Sequence, residues 1–244
     1  MGKSEISSFL ATRDSVKVVS STNTSITSNG NNKCHDDISI TPQLVENTMD
    51  TILNTINTVM ERRRKKESNT GTCISLKLRR GTEQDAKSIL SLVNGLASYE
   101  KALEEVHVNE TIYRIDGSGE HPLYHCILLE KEMVEGDDDK DDSPVVVGMG
   151  FFYFGYSIAN DSCGKFLYLE DLFIEEPYRG NGYGKAIMYA LADICMQLDC
   201  ERFVWQALDW NSPALKFYHS IGAKICDGLT TLRFDKDKIA SFHN

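Results

Sequence analysis

The chain has 244 residues, 41% of them hydrophobic, and a formal charge of −10 from 26 basic and 36 acidic side chains. That composition suits one globular domain with an appendage, argues against nucleic acid as a partner and is compatible with a cationic one. No apolar run approaches the roughly 18 residues of a membrane helix, and the opening MGKSEISSFLATRDSVKVV has no apolar core of the signal-peptide kind. Myristoylation at Gly2 would want Ser or Thr at position 6, where Ile6 stands. Seven scattered cysteines, with no CxxC pair, read as buried thiols of a reducing compartment.

Residues 1–41 are rich in Ser, Thr and Asn, as in SSTNTSITSNGNNKCHDD. They offer too little apolar surface to offset their ordering entropy and are expected to be disordered. A plastid or mitochondrial transit peptide is the alternative, with Glu5 and Asp14 counting against it. A helix is expected over 42–66, with Thr41 as N-cap, Pro42 in its first turn, and Val45, Met49, Ile52, Ile56 and Val59 at helical spacing. The basic cluster Arg62 to Lys66 suits the last turn of that helix, or a nuclear-import signal. Composition therefore divides the chain into an extension, 1–72, and a domain, 73–244. A chain starting near Thr72 is expected to keep most of its activity.

From Cys73 on, elements follow one another closely. CISLKLRR alternates as a strand; TEQDAKSILSLVNGLASYE puts Ala86, Ile89, Leu90, Val93 and Leu96 on one helical face with Thr82 as cap; NETIYRI suggests a short helix. LYHCILLEKEMV and VVVGMGFFYFGY read as strands joined by the charged loop EGDDDKDDSP. KFLYLEDLFI is a strand, IMYALADICMQL a helix to about Leu198, ERFVWQAL a strand, SPALKFYHSIG a helix ended by Gly222, and TTLRFD a last strand. Strands mixed with helices on both sides indicate an α/β or α+β layer fold. Within YLEDLF, alternation would send Glu170 and Asp171 to opposite faces. Two charges among so many apolar neighbours need compensating partners, which is itself a functional hint.

Between the strand and the helix lies EEPYRGNGYGKA. It is not a Walker A loop, which would need glycine at 179 and Ser or Thr at 186, and G-x-G-x-G is a poor dinucleotide fingerprint. Glycines let backbone N–H groups crowd one point, and the following helix adds its free amides and positive dipole end. That is a pyrophosphate cradle, with Arg179 adding a contact or bracing the loop.

PYRGNGYGKA resembles the acetyl-CoA loop, R/Q-x-x-G-x-G/A, of the GCN5-related N-acetyltransferases (GNAT), with Arg179, Gly182 and Gly184 at its fixed positions. LASYEKALEEV, GEHPLYHC, YLEDLF, DWNSPALKFYHSIGA and the Asp227–Gly228 pair resemble, in order, the diamine N-acetyltransferase branch, which includes the spermidine/spermine N1- and thialysine N-acetyltransferases. The resemblance covers residues 73–244. It implies a mixed, mainly antiparallel sheet splayed around acetyl-CoA, with helices on both faces. It also implies acetyl transfer to a primary amine, a cytoplasmic homodimer, and no metal, membrane or nucleic acid.

Carried over residue by residue, the resemblance puts Leu172, Phe173 and Ile174 against the pantetheine arm, one of their amides polarising the acetyl carbonyl. It puts the pyrophosphate on Arg179, Gly180, Asn181, Gly182, Tyr183, Gly184 and Lys185. Asn211 would touch the arm, although it suits a helix N-cap equally well, and Tyr218 would lie beside the cofactor sulfur. On the acceptor side Glu170 would meet the amine, with Tyr99, Glu100 and Asp227 lining the same acidic groove. His121 and His125 match GEHPxYHC, and His121 is expected to cap or pack. The loop GYSIANDSCGK departs from the polyamine pattern: Asp161 could supply its acid, but no aromatic follows Tyr156. A polyamine is the expected acceptor, with thialysine as the first alternative and a protein amine as the second.

Overall fold

This computed structural model describes residues 39–67, 75–132, 145–158, 164–226 and 230–243. The expectations for residues 1–38, the charged loop 135–144, Asp161 and Asp227 lie outside them. The chain divides into two units, Met1–Trp205 and Gln206–Asn244. The first holds α1 (Pro42–Glu67), β1 (Leu76–Arg80), α2 (Ala86–Glu100), α3 (Glu110–Asp116), β2 (His125–Lys131), β3 (Val145–Ser157), β4 (Gly164–Ile174), α4 (Tyr183–Gln197) and β5 (Arg202–Trp205). Among the described residues no helix is long and apolar enough to cross a membrane.

The five strands form one sheet in the order β1-β2-β3-β4-β5. The first three pairings are antiparallel and β4–β5 is parallel. This is the mixed, mainly antiparallel sheet the sequence led us to expect. Registry sets its two faces. On one, Leu78, Ile127, Leu129, Phe152, Leu167 and Leu169 are buried under α1 and α4. Close approach there requires Gly150, where a Cβ would come within 2.6 Å of Ile187. On the other, Cys126, Leu128, Met149 and Phe173 pack with Ile89 and Leu92 of α2.

α1 belongs to this packing. Its Val45, Met49, Ile52, Leu53 and Ile56 are buried. The Asn57 side chain donates to the Leu78 carbonyl at 2.7 Å and accepts from the Leu78 amide at 2.8 Å, docking the helix on β1. Arg80 reaches Glu46 and Asp50 on the same helix. Burial of a side chain of this kind stabilises by roughly 1.5–3 kcal/mol. The division at residue 72 follows composition, whereas packing joins α1 to the sheet. A chain cut at Thr72 would lack that cover.

Around α2, Asp85 rather than a bare cap organises the start. Its carboxylate accepts from the Thr82 amide at 2.8 Å and pairs with both terminal nitrogens of Arg79 at 2.8 and 2.9 Å. Burial pushes the Asp85 pKa up, but Arg79 and Thr82 outweigh it and hold it below the usual range. Arg79 also binds the buried Glu130. The buried face of α2 uses Leu92 and Ala97 where Leu90 was expected.

The second unit contains α5 (Ser212–Ser220) and α6 (Lys236–Ala240). The expected strand TTLRFD is not one: residues 230–235 form no regular element. ERFVWQAL is a strand only over Arg202–Trp205. Nor are all the thiols buried, since Cys226 is exposed.

Candidate active site

β4 changes neighbours halfway along. Phe166 to Leu169 pair with Arg202 to Trp205 of β5, whereas the ladder from Asp171 to Ile174 runs with β3 alone. Among the described residues that part of the strand has no ladder partner on its β5 side. The strand is thus splayed as the resemblance implies, and its unpaired edge is of the kind that an extended ligand adds to.

The splay begins at a β-bulge. Phe151 opposes Asp171 and Phe152 opposes Leu169, so Glu170 is the extra residue. A bulge interrupts alternation, which corrects the expectation that Glu170 and Asp171 point to opposite faces. Asp171 opposes Phe151, on the α2 side. Glu170 acts electrostatically on Asp171 and on Tyr168 and Tyr153 of that same side. The two tyrosine rings stack at 5.1 Å.

Glu170 is exposed and Asp171 half-buried. Burial first, then the charges of Glu170 and Glu100, push the Asp171 pKa up to about 6. Burial also raises Glu100, at the end of α2. Glu100, Glu170 and Asp171 therefore form one acidic cluster whose inner member titrates near neutrality. The sequence reading assigned Asp171 no role. His125, on the opposite face, is driven down to about 4 by burial and by Arg80, and packs on Phe152 and Phe154. His121 is exposed.

After Ile174 a short turn, Glu176–Tyr178, leads to Arg179. The Arg179 Nε donates to the Ile174 carbonyl at 2.7 Å, and its guanidinium lies over the rings of Tyr99 at 5.3 Å and Phe173 at 5.5 Å. It is a brace between strand end, loop and α2. Asn181 reaches back to the carbonyls of Tyr178 and Arg179 at 3.3 and 3.2 Å.

Gly180 and Gly182 have φ of 79° and 86°, a region that favours glycine. Gly182 is the N-cap of α4. The first-turn amides, through Gly184 and Lys185, have no acceptor within the helix and point toward the loop. Lys185 lies 5.4 Å from the Tyr189 ring. Phe173 and Ile174 are buried, so a ligand along β4 would meet their backbone, with Leu172 partly accessible. The glycine turn, braced arginine and helix dipole fit a pyrophosphate.

In the second unit Asn211 caps α5, its Oδ1 accepting from the Ala214 amide at 3.3 Å. Tyr218 lies on α5, its ring 5.2 Å from that of Phe217.

A family model described as the acetyltransferase (GNAT) family matches residues 97–223, which include the cradle, the acidic cluster and α5. The chain belongs to the GNAT acetyltransferase family. It is 37% identical over 147 residues to the thialysine N-epsilon-acetyltransferase of Bos taurus, covering 60% of this chain and 83% of the relative. It is 28% identical over 165 residues to spermidine/spermine N(1)-acetyltransferase-like protein 1 of Homo sapiens, covering 66% and 23%. An integron cassette protein of V. cholerae shares the fold, with TM-score 0.52 and 23% identity over 70% of this chain and 99% of that one. As a GNAT member the protein is an acetyl-CoA-dependent N-acetyltransferase.

Proposed function

We propose that the protein moves the acetyl group of acetyl-CoA to a primary amine of a small polyamine, of the spermidine or spermine type, by direct attack. The acidic cluster carries this reading. Carboxylates that push up a neighbour's pKa, as Glu170 and Glu100 do to Asp171, are relieved by a cation placed among them. A ligand with several ammonium groups meets several of them at once. By resemblance Tyr99 and Asp227 would also meet the acceptor.

An alkylammonium of pKa near 10.4 is less than roughly 0.1% neutral at pH 7, so a base must take its proton. Glu170, the exposed member of the pair, meets the amine and accepts the proton directly or through water. Asp171 behind it supplies the second negative charge, its own pKa pushed up to about 6. The amine nitrogen attacks the thioester carbon, and the developing oxyanion rests on a backbone amide of Leu172, Phe173 or Ile174, beyond the bulge. The C–S bond then breaks, the thiolate leaves, and the nitrogen's second proton passes to solvent.

The amides from Gly180 to Lys185 hold the pyrophosphate, with Arg179 as brace. By resemblance Asn211 contacts the arm and Tyr218 hydrogen-bonds the departing sulfur. Complete proton transfer from an ordinary phenol to an ordinary thiolate is uphill by roughly 2 kcal/mol, so that bond stabilises more than it protonates.

Thialysine is a second reading, favoured by the names of the bovine relative and of a Sus scrofa relative that is 34% identical. An acceptor panel of spermidine, spermine, putrescine, thialysine, lysine and a lysine peptide tests both. Polyamines should lead in kcat/KM at low salt, and their lead should shrink as salt screens the groove. A lead for thialysine overturns the charge-matching argument, and a lead for the peptide overturns the small-amine assignment.

A further inference from the structure

The C-terminal end of α4 brings two sulfurs together. Asp199 adopts φ 54°, the Cys200 amide donates to the Cys195 carbonyl at 2.8 Å, and the Asp199 amide donates to Met196 at 3.3 Å. This pair of bonds places residues 195 and 200 where two side chains ordinarily meet in an apolar contact. Here both are cysteine. The Cys195 sulfur lies 3.7 Å from the Cys200 carbonyl and 3.4 Å from that of Arg202. Cys195 is buried and Cys200 is partly exposed. A backbone hydrogen bond between the two residues brings their Cα atoms into the range a disulfide spans.

We propose that Cys195 and Cys200 are a dithiol site that low-molecular-weight disulfides oxidise to an intramolecular disulfide across the end of α4. The nearness of the two thiols lowers the Cys195 pKa, against the opposing effect of burial, and raises that of Cys200. Cys200, the sulfur a reagent can reach, gives its proton to solvent and attacks one sulfur of the small disulfide. The reagent's S–S bond breaks and one small thiolate leaves. Cys195 then loses its proton to solvent and attacks the Cys200 sulfur, expelling the second small thiolate. One protein S–S bond forms, the protein gives up two electrons, and the reagent is reduced to two thiols. The acetyl-transfer site takes no part.

Reduced, desalted full-length protein is incubated with oxidised glutathione, blocked with iodoacetamide, digested with trypsin and mapped by mass spectrometry. Both cysteines fall in the peptide 186–202. That peptide should lose two hydrogens and resist alkylation, and dithiothreitol should restore both thiols. Cys195→Ser should instead retain glutathione on Cys200. Exposed Cys226 is the built-in control. Glutathione on Cys226 while 186–202 stays fully alkylated overturns the proposal, as does a mixed disulfide on Cys200 of the unmutated chain that never closes.

Discussion

On the sheet face under α1 and α4 nearly every inward side chain is apolar, and Phe152, Leu167 and Leu169 are at most 1% exposed. On the face under α2 and α3 the apolar cluster around Met149 gives way, past the β4 bulge, to Glu170, Asp171 and the stacked Tyr153 and Tyr168. One titratable group on each face shows the contrast. His125 on the covered face is kept neutral down to about pH 4, whereas Asp171 on the other is held near its midpoint at about 6. Burial drives both shifts. The covered face uses it to remove charge, and the open face uses it, with neighbouring carboxylates, to bring an acid into working range. The first face holds the fold together and the second holds the chemistry.

The harshest way to break the contrast is to uncover the stabilising face. A chain beginning at Thr72 loses five buried apolar side chains of α1, each worth roughly 1.5–3 kcal/mol against a total stability of roughly 5–15 kcal/mol. It should aggregate or show no cooperative thermal transition. A soluble product melting like the whole chain would make α1 an appendage after all.

On the chemical face, Asp171→Asn should lower kcat by roughly 10²-fold or more, the lower end for a group that supports proton transfer. The same substitution should stabilise the fold. Below pH 3.8 the carboxyl is protonated folded or unfolded. Above about 6 it is ionised in both, and the folded state bears the whole cost. The gain in Tm should therefore be full at pH 8, at most roughly 3 kcal/mol in free energy, and gone below pH 4. Leu167→Ala, on the covered face, should do the opposite: a loss of roughly 2–5 kcal/mol in denaturant unfolding with kcat of the folded enzyme unchanged. Equal effects of the two on activity would erase the distinction between the faces.

The smallest expected effect is at the cradle. Gly182→Asp adds a side chain at φ 86° and a negative charge. It should raise the acetyl-CoA dissociation constant at least about tenfold, 1.4 kcal/mol, with unchanged circular dichroism. Calorimetry showing equal affinity would remove the phosphate reading of the loop.

Much of this was legible in the sequence because it rests on local chemistry. The helix over 42–66, the strands before and after the charged loop, and the glycine turn into α4 all follow from spacing, caps and φ preference. The bulge was legible too, yet unread. Apolar Leu167 and Leu169 are two apart, but the next inward residue is Leu172, three on, and that slip in period marks an inserted residue. Taking β4 as strictly alternating separated Asp171 from Glu170 and hid the pair. The docking of α1 through Asn57 was not legible, since an asparagine at helical spacing carries no mark of the strand it will bind. The brace formed by Arg179 with Tyr99 and Phe173 likewise joins residues about 80 apart in sequence, which no local pattern reports.

The central claim is that a carboxylate pair at the bulge serves a cationic amine. Its most direct test is kcat/KM for spermidine against pH, from about 5 to about 9, in the natural chain, Asp171→Asn and Glu170→Gln. The rise with pH that comes from the acceptor's own ammonium is common to all three. The natural chain should show in addition an acid limb centred near 6. Asp171→Asn should lack that limb, and Glu170→Gln should move it to lower pH by removing a like charge. An acid limb unchanged in Asp171→Asn would contradict the account.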